Sequence, residues 1–204
     1  MLTTLNMKPF SGLFKPIPFL IRYPVYYEKY YPDENYTLQL RPFSIMEDIS
    51  EVYNWINKPR LLSSGHITTY QRNMLKYYKT LLDSGDSQAF MILQNSKAVC
   101  QFDLFPASVD AVHSRISNGI YDLSVRYLAD FRIPQTLFSN SLNICLEYLF
   151  SFSEDPVAFI SMPPSGILNG NAFTSIGCKY VNGFFHDQEI VKVYSCRRGG
   201  LVGI

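Results

Sequence analysis

The stretch NGIYDLSVRYLADFRIPQTLFSNSL, residues 118–142, reads as a strand, a turn and the start of a helix. A helix start offers unpaired N–H groups and the positive end of its dipole to an anion. This layout is therefore common where a nucleotide-type cofactor meets protein backbone. After Gly119 the stretch holds no glycine, and its turn is built from Arg132, Ile133, Pro134 and Gln135. Within the strand, Arg126 carries a planar fork of donors suited to a carboxylate or phosphate; the plainer reading is a salt bridge inside the sheet. Of the three histidines, His66 follows Gly65 in a loop, while His113 and His186 read as surface residues. Cys100, Cys145, Cys178 and Cys196 are widely spaced, with no CxxC and no paired histidine nearby. Neither a metal site nor a disulfide framework is expected from that spacing. Each cysteine reads as a small reduced hydrophobe, which suits the cytoplasm.

These residues need a scaffold, and the chain can build one. Its 204 residues fit one domain of ordinary size. With 47% hydrophobic and 17% charged residues, it is a folded chain rather than a disordered tail. The net charge of +1 comes without a long basic run, so no nucleic-acid partner is expected. No membrane span is expected either: the apolar run Ile17–Ile21 is too short and lies among Pro16, Pro18 and Pro24. Residues 1–35 read as an aromatic arm lying on the domain or on a second subunit, which would make a homodimer.

From residue 36 the periodicities predict an ordered series. YTLQLRPF (36–43) alternates as a strand. Ser44 and Glu47 form a capping-box pattern before a helix with Ile49, Val52, Tyr53 and Ile56 on one face. Tyr70, Met74, Tyr77, Tyr78 and Leu81 recur at helical spacing up to Gly85. QAFMILQNSKAVCQFDLF is a hairpin turning at Asn95 and Ser96. SVDAVHSRI is a short helix or turn, GIYDLSVRYL a strand, and SNSLNICLEYLFSF a helix. VAFISM, the short helix NAFTSIGC and a terminal hairpin of KYVNGFF with QEIVKVYSC complete an α/β mixed sheet with one βαβ unit.

Four stretches in this order resemble the GNAT acyltransferases, and within them the siderophore-biosynthesis branch of hydroxylysine N-acetyltransferase type. They are LRPFSIMEDISEVYNWINKPRL, with Trp55, Asn57, Pro59 and Arg60; SKAVCQFDLFPASVDAV, with Asp103 and Asp110; YDLSVRYL; and EYLFSFSEDPVAFISMPP. The resemblance spans about residues 38–198. It implies a mostly antiparallel mixed sheet flanked by helices, with one splayed strand pair. It also implies transfer of an acetyl or other acyl group from acyl-CoA to an amine or hydroxylamine. By position, the pantetheine would follow the strand edge at Tyr127, Leu128 and Ala129. The phosphates would meet Arg132, Thr136, Leu137, Phe138 and Ser139, with Asn171 or Asn169 as the helix asparagine. Thr136 and Phe138 stand where that turn has glycines, and a side chain at such a place crowds a phosphate. Pro134 removes a donor. Arg126 stands where the branch has a histidine base, and a guanidinium cannot accept a proton. Asp103 or His66 would then relay the proton. The other reading is a catalytically inactive GNAT-fold binding or scaffolding protein.

Overall fold

The computed structural model describes residues 24–57, 62–63, 71–130, 132–152, 156–162, 168–186 and 189–201. Within them, eight strands form one sheet in the order β1-β2-β4-β5-β6-β7-β9-β8. These are β1 (Tyr27–Tyr31), β2 (Tyr36–Pro42), β4 (Gln88–Gln94), β5 (Lys97–Pro106), β6 (Leu123–Ala129), β7 (Ala158–Met162), β8 (Lys179–His186) and β9 (Glu189–Cys196). A two-residue strand, β3 (Leu62–Ser63), pairs with β6. Every pairing is antiparallel except β6 with β7. The helices are α1 (Ile45–Ile56), α2 (Gln71–Asp83), α3 (Gln135–Phe150) and α4 (Asn171–Thr174).

Local chemistry explains the element ends. Ser44 accepts the Glu47 N–H as N-cap of α1. The reciprocal acceptor for the Ser44 N–H is Asp48 rather than Glu47, at 2.8 Å. Asp48 also takes both arms of Arg41, which ties α1 to β2. Asn95 and Ser96 turn the β4–β5 hairpin with φ of 47° and 70°, the left-handed geometry that matches strand twist. Tyr27–Tyr31, expected within the arm, is strand β1, and Lys29 and Tyr27 reach Glu147 on α3.

Two main apolar cores lie on opposite faces of the sheet, and a third cluster joins Ala107, Val112, Val157, Phe159 and Val193. The larger is covered by α3 and α4 and includes Leu104, Val125, Tyr127, Phe138 and Phe173. The smaller, under α1 and α2, includes Val52, Trp55, Met74, Tyr78 and Leu128. Cys178 and Cys196 correct the expectation of four reduced thiols: they are joined as a disulfide, with Cα atoms 4.4 Å apart. Lys179 pairs with Ser195, so the antiparallel register sets the two cysteines opposite each other at the next position. Spacing along the chain does not reveal that register. Cys100 and Cys145 are free and buried. No helix among the described residues is long and apolar enough to cross a membrane.

Candidate active site

Side chains alternate along β5 and β6, so each strand sends its residues to both cores. Leu123, Val125, Tyr127 and Ala129 join the α3 core, as do Cys100, Phe102 and Leu104. The alternate residues Gln101, Asp103, Ser124 and Arg126 therefore point to the opposite face, where Asp103 meets Tyr77 of α2 and Ser124 meets His113. Asp103 and Arg126 are direct cross-strand partners.

Asp103 is 1% exposed. Tyr77 donates its hydroxyl to Oδ2 at 2.7 Å, and Gln101 donates its amide to Oδ1. Burial pushes the Asp103 carboxyl up to about 6, while the Tyr77 and Gln101 bonds and the Arg126 charge hold it from rising further. Burial, then the Asp103 charge, push the Tyr77 hydroxyl up, so it stays a proton donor. The Arg126 guanidinium lies 4.6 Å over the Phe105 ring and donates to Asp110 Oδ2 at 3.1 Å. Its side chain is 32% exposed, so it stands at the rim of this polar file. Asp110 accepts the N–H groups of Val112 and His113. Burial pushes its carboxyl up, but His113, those two N–H groups and Arg126 together hold it below its ordinary value.

His113 corrects the surface assignment, being 1% exposed. It sits on a single 3-10 turn, His113–Arg115, and points under the sheet. Its Nδ1 lies 2.6 Å from Ser124 Oγ and its Nε2 2.8 Å from Ser161 Oγ. Burial lowers its pKa to about 4, so the ring is neutral. His186, in contrast, is part-exposed near the β8–β9 turn. His66 lies outside the described residues, as do Pro59, Arg60 and the Pro163-Pro164 pair.

β6 and β7 pair only from Leu123↔Ala158 to Val125↔Ile160. β6 runs on to Ala129 and β7 to Met162, so the pair forks after Val125. This is the splayed pair that the GNAT resemblance implies. Arg126 is the first β6 residue past the fork. The edge beyond it differs from the expectation, because β3 pairs there with Leu128 and Ala129. β5 holds the other edge at the same two residues, so β3 takes the side that β7 leaves.

The turn into α3 also differs. Phe138 does not enter the groove; it is fully buried against Phe102, Tyr127 and Phe173. Leu137 joins the same core, and Ser139 turns inward toward the carbonyls of Gln135 and Ala172. Of the residues expected at the phosphates, Arg132 and Thr136 are the exposed ones, and Arg132 is paired with Asp130. Pro134 is the N-cap, so its missing donor lies outside the first turn. No bond from the Gln135, Thr136 or Leu137 N–H groups occurs among the described residues, and no side chain caps the helix. Asn169 Oδ1 accepts from Gln135 and from the Asn171 N–H, so α4 is docked against the start of α3.

Tyr77, Ser124 and Ser161 were not singled out from the sequence. By spacing, Tyr77 belongs to the same helical stripe as Tyr78. Two adjacent helical residues diverge by about 100°, so both cannot face the core fully. That divergence is the signal that one hydroxyl must leave it. Among the described residues no cluster of potential metal ligands occurs.

No protein-family model matches the chain, and no curated protein matches it. Solved structures do. An uncharacterized protein from Bacillus halodurans is 13% identical, with 85% of this chain and 91% of that chain covered and a TM-score of 0.69. The aminoglycoside acetyltransferase AAC(6')-Ib, solved with ribostamycin and coenzyme A, is 12% identical, covering 80% and 94% with a TM-score of 0.64. RimJ of Mycobacterium smegmatis, solved with CoA-disulfide, is 12% identical, covering 80% and 83% with a TM-score of 0.57. At such identities the likeness is one of fold, and the chain has the mixed, forked sheet of the GNAT-type acetyltransferases.

Proposed function

We propose that this chain is an N-acyltransferase that moves an acetyl or other acyl group from acyl-CoA to an amine or hydroxylamine. The observation that carries the reading is the polar file Arg126–Tyr77–Asp103 placed at the fork of β6 and β7. Two supports stand beside it. The first turn of α3 has uncapped N–H groups that suit a pyrophosphate. Structures of the same fold, AAC(6')-Ib and RimJ, were solved with coenzyme A or a form of it.

In this reading the acceptor nitrogen attacks the thioester carbonyl directly, and Arg126 at the rim stabilises the negative charge developing on oxygen. The C–S bond then breaks and the thiolate departs as coenzyme A, taking a proton from solvent. The proton on the acceptor nitrogen passes to Tyr77 Oη while the Tyr77 proton moves to Asp103 Oδ2. Asp103 cannot be reached directly, because it is buried with both oxygens occupied. Tyr77 is therefore the contact group and Asp103 the base behind it. A carboxyl near 6 is a mild base close to working pH. That mildness suits a hydroxylamine, whose nitrogen is already neutral at pH 7, and supports the siderophore-type acceptor that the sequence words suggest.

Calorimetry with acetyl-CoA and longer acyl-CoAs tests the donor, and turnover with alkylamine and hydroxylamine acceptors tests the reaction. Saturable heat and turnover lost in Tyr77→Phe are expected. No heat with any acyl-CoA at millimolar concentration would refute the donor assignment.

One observation favours the second reading, a catalytically inactive binding protein: β3 takes the β6 edge at Leu128 and Ala129 that pantetheine would use. That reading predicts no turnover with any donor. Turnover abolished by Asp103→Ala would end it.

A further inference from the structure

We propose that His113 is a positioning residue that bolts β7 to β6 where the two strands part. The assignment of the fork to acyl-CoA rests on the function proposed above; the bolt itself rests on geometry. Ser124 stands on β6 within the paired segment, opposite Phe159. Ser161 is the first β7 residue beyond the last pair, Val125↔Ile160. The imidazole spans the two, at 2.6 Å to Ser124 Oγ and 2.8 Å to Ser161 Oγ. The connection between strands thus passes through the ring just where their backbone ladder stops.

The ring is itself held. Asp110 fixes its backbone by accepting the Val112 and His113 N–H groups, and the ring lies 5.8 Å from the Phe159 ring. A neutral imidazole has one donor and one acceptor, and each serine hydroxyl can play either part. The bridge is therefore complete in either tautomer. β7 is bound on its far side by β9, at Ser161↔Val193 and Met162↔Lys192. The histidine bond on the near side sets how far β7 leans away, and so the width of the fork.

The experiment is amide hydrogen exchange by mass spectrometry on Ser161→Ala and Ser161→Thr, without ligand, together with acetyl-CoA calorimetry. Ser161→Ala removes one hydroxyl and leaves the backbone, so the fold is retained even if His113→Asn fails to fold. Exchange in the peptides covering 123–129 and 158–162 should rise about tenfold in Ser161→Ala, as for one lost hydrogen bond. The β4–β5 hairpin should be unchanged, and Ser161→Thr should restore the wild-type pattern. Unchanged exchange at the fork, or a uniform rise across the whole sheet, overturns the bolt. If wild-type protein binds acetyl-CoA, its affinity should fall in Ser161→Ala and return in Ser161→Thr; equal affinity in all three overturns the positioning role. If wild-type protein binds no acyl-CoA, the proposed function fails and the exchange data alone decide the bolt.

Discussion

Replacing Asp103 with Asn should change how stability responds to acid. The folded carboxyl titrates at about 6, against an ordinary value of 3.8, chiefly because it is buried. Between those values the folded chain holds a proton that the unfolded chain has released. Its contribution to stability is therefore complete below the ordinary value and is lost as pH rises through about 6. The full difference is about 3 kcal/mol, at 1.36 kcal/mol per unit. Between pH 7 and pH 5 it is about 1.3 kcal/mol. His113 acts in the opposite sense. Burial lowers its pKa to about 4, so the unfolded chain binds the proton first and stability falls as pH drops from 6.5 toward 4. Over the same range the His113 loss is about 1.8 kcal/mol, larger than the Asp103 gain, so the raw wild-type profile shows neither alone. The difference between variants isolates Asp103. Urea unfolding at pH 7 and pH 5 should show the wild type gaining about 1.3 kcal/mol more on acidification than Asp103→Asn. Asn can still accept from Tyr77, and Gln101 can turn its amide to suit, so the packing survives. Equal pH dependence in the two proteins would refute a buried, raised carboxyl at this site.

Three further outcomes are expected. Phe138→Ala should cost about 3–5 kcal/mol in urea unfolding, because the ring fills the α3 core, while Phe138→Leu should leave acetyl-CoA affinity within about twofold; a large gain in affinity would mean that the ring does block the groove. Thr136→Glu, in the first turn of α3, should keep or raise stability by about 0.3–1 kcal/mol through the helix dipole, yet weaken acetyl-CoA binding measured by calorimetry. Cys178→Ser opens an 18-residue loop and should cost about 3 kcal/mol, matched by treating the wild type with a reductant during unfolding; an unchanged midpoint would show that the bond adds nothing.

Much of the scaffold was legible because it depends on short-range pattern. Ser44, the positions of Val52 and Ile56, the Asn95-Ser96 turn and the alternation of β2 each state a local preference that the tertiary structure honours. The polar file was half legible. Cys100, Phe102 and Leu104 going one way force Gln101 and Asp103 the other, but nothing local says that Tyr77 covers them.

The sequence by itself determined most of the elements from residue 36 onward, their α/β class and a strand-turn-helix unit whose turn lacks glycine, while the fork of the sheet was implied only by the family resemblance. Only the tertiary structure decided which way the residues of that unit face. Phe138 occupies a position that reads as groove, yet it lies in the core because α3 sets it against Phe102, Tyr127 and Phe173. His113 reads as surface, yet it is buried because residues from two separate strands supply its partners. Cys178 and Cys196 read as independent, yet the β8–β9 register pairs them. In each case the deciding neighbour is distant in sequence. Periodicity reports which face of its own element a residue occupies, whereas contact across elements depends on register and packing that no single segment encodes.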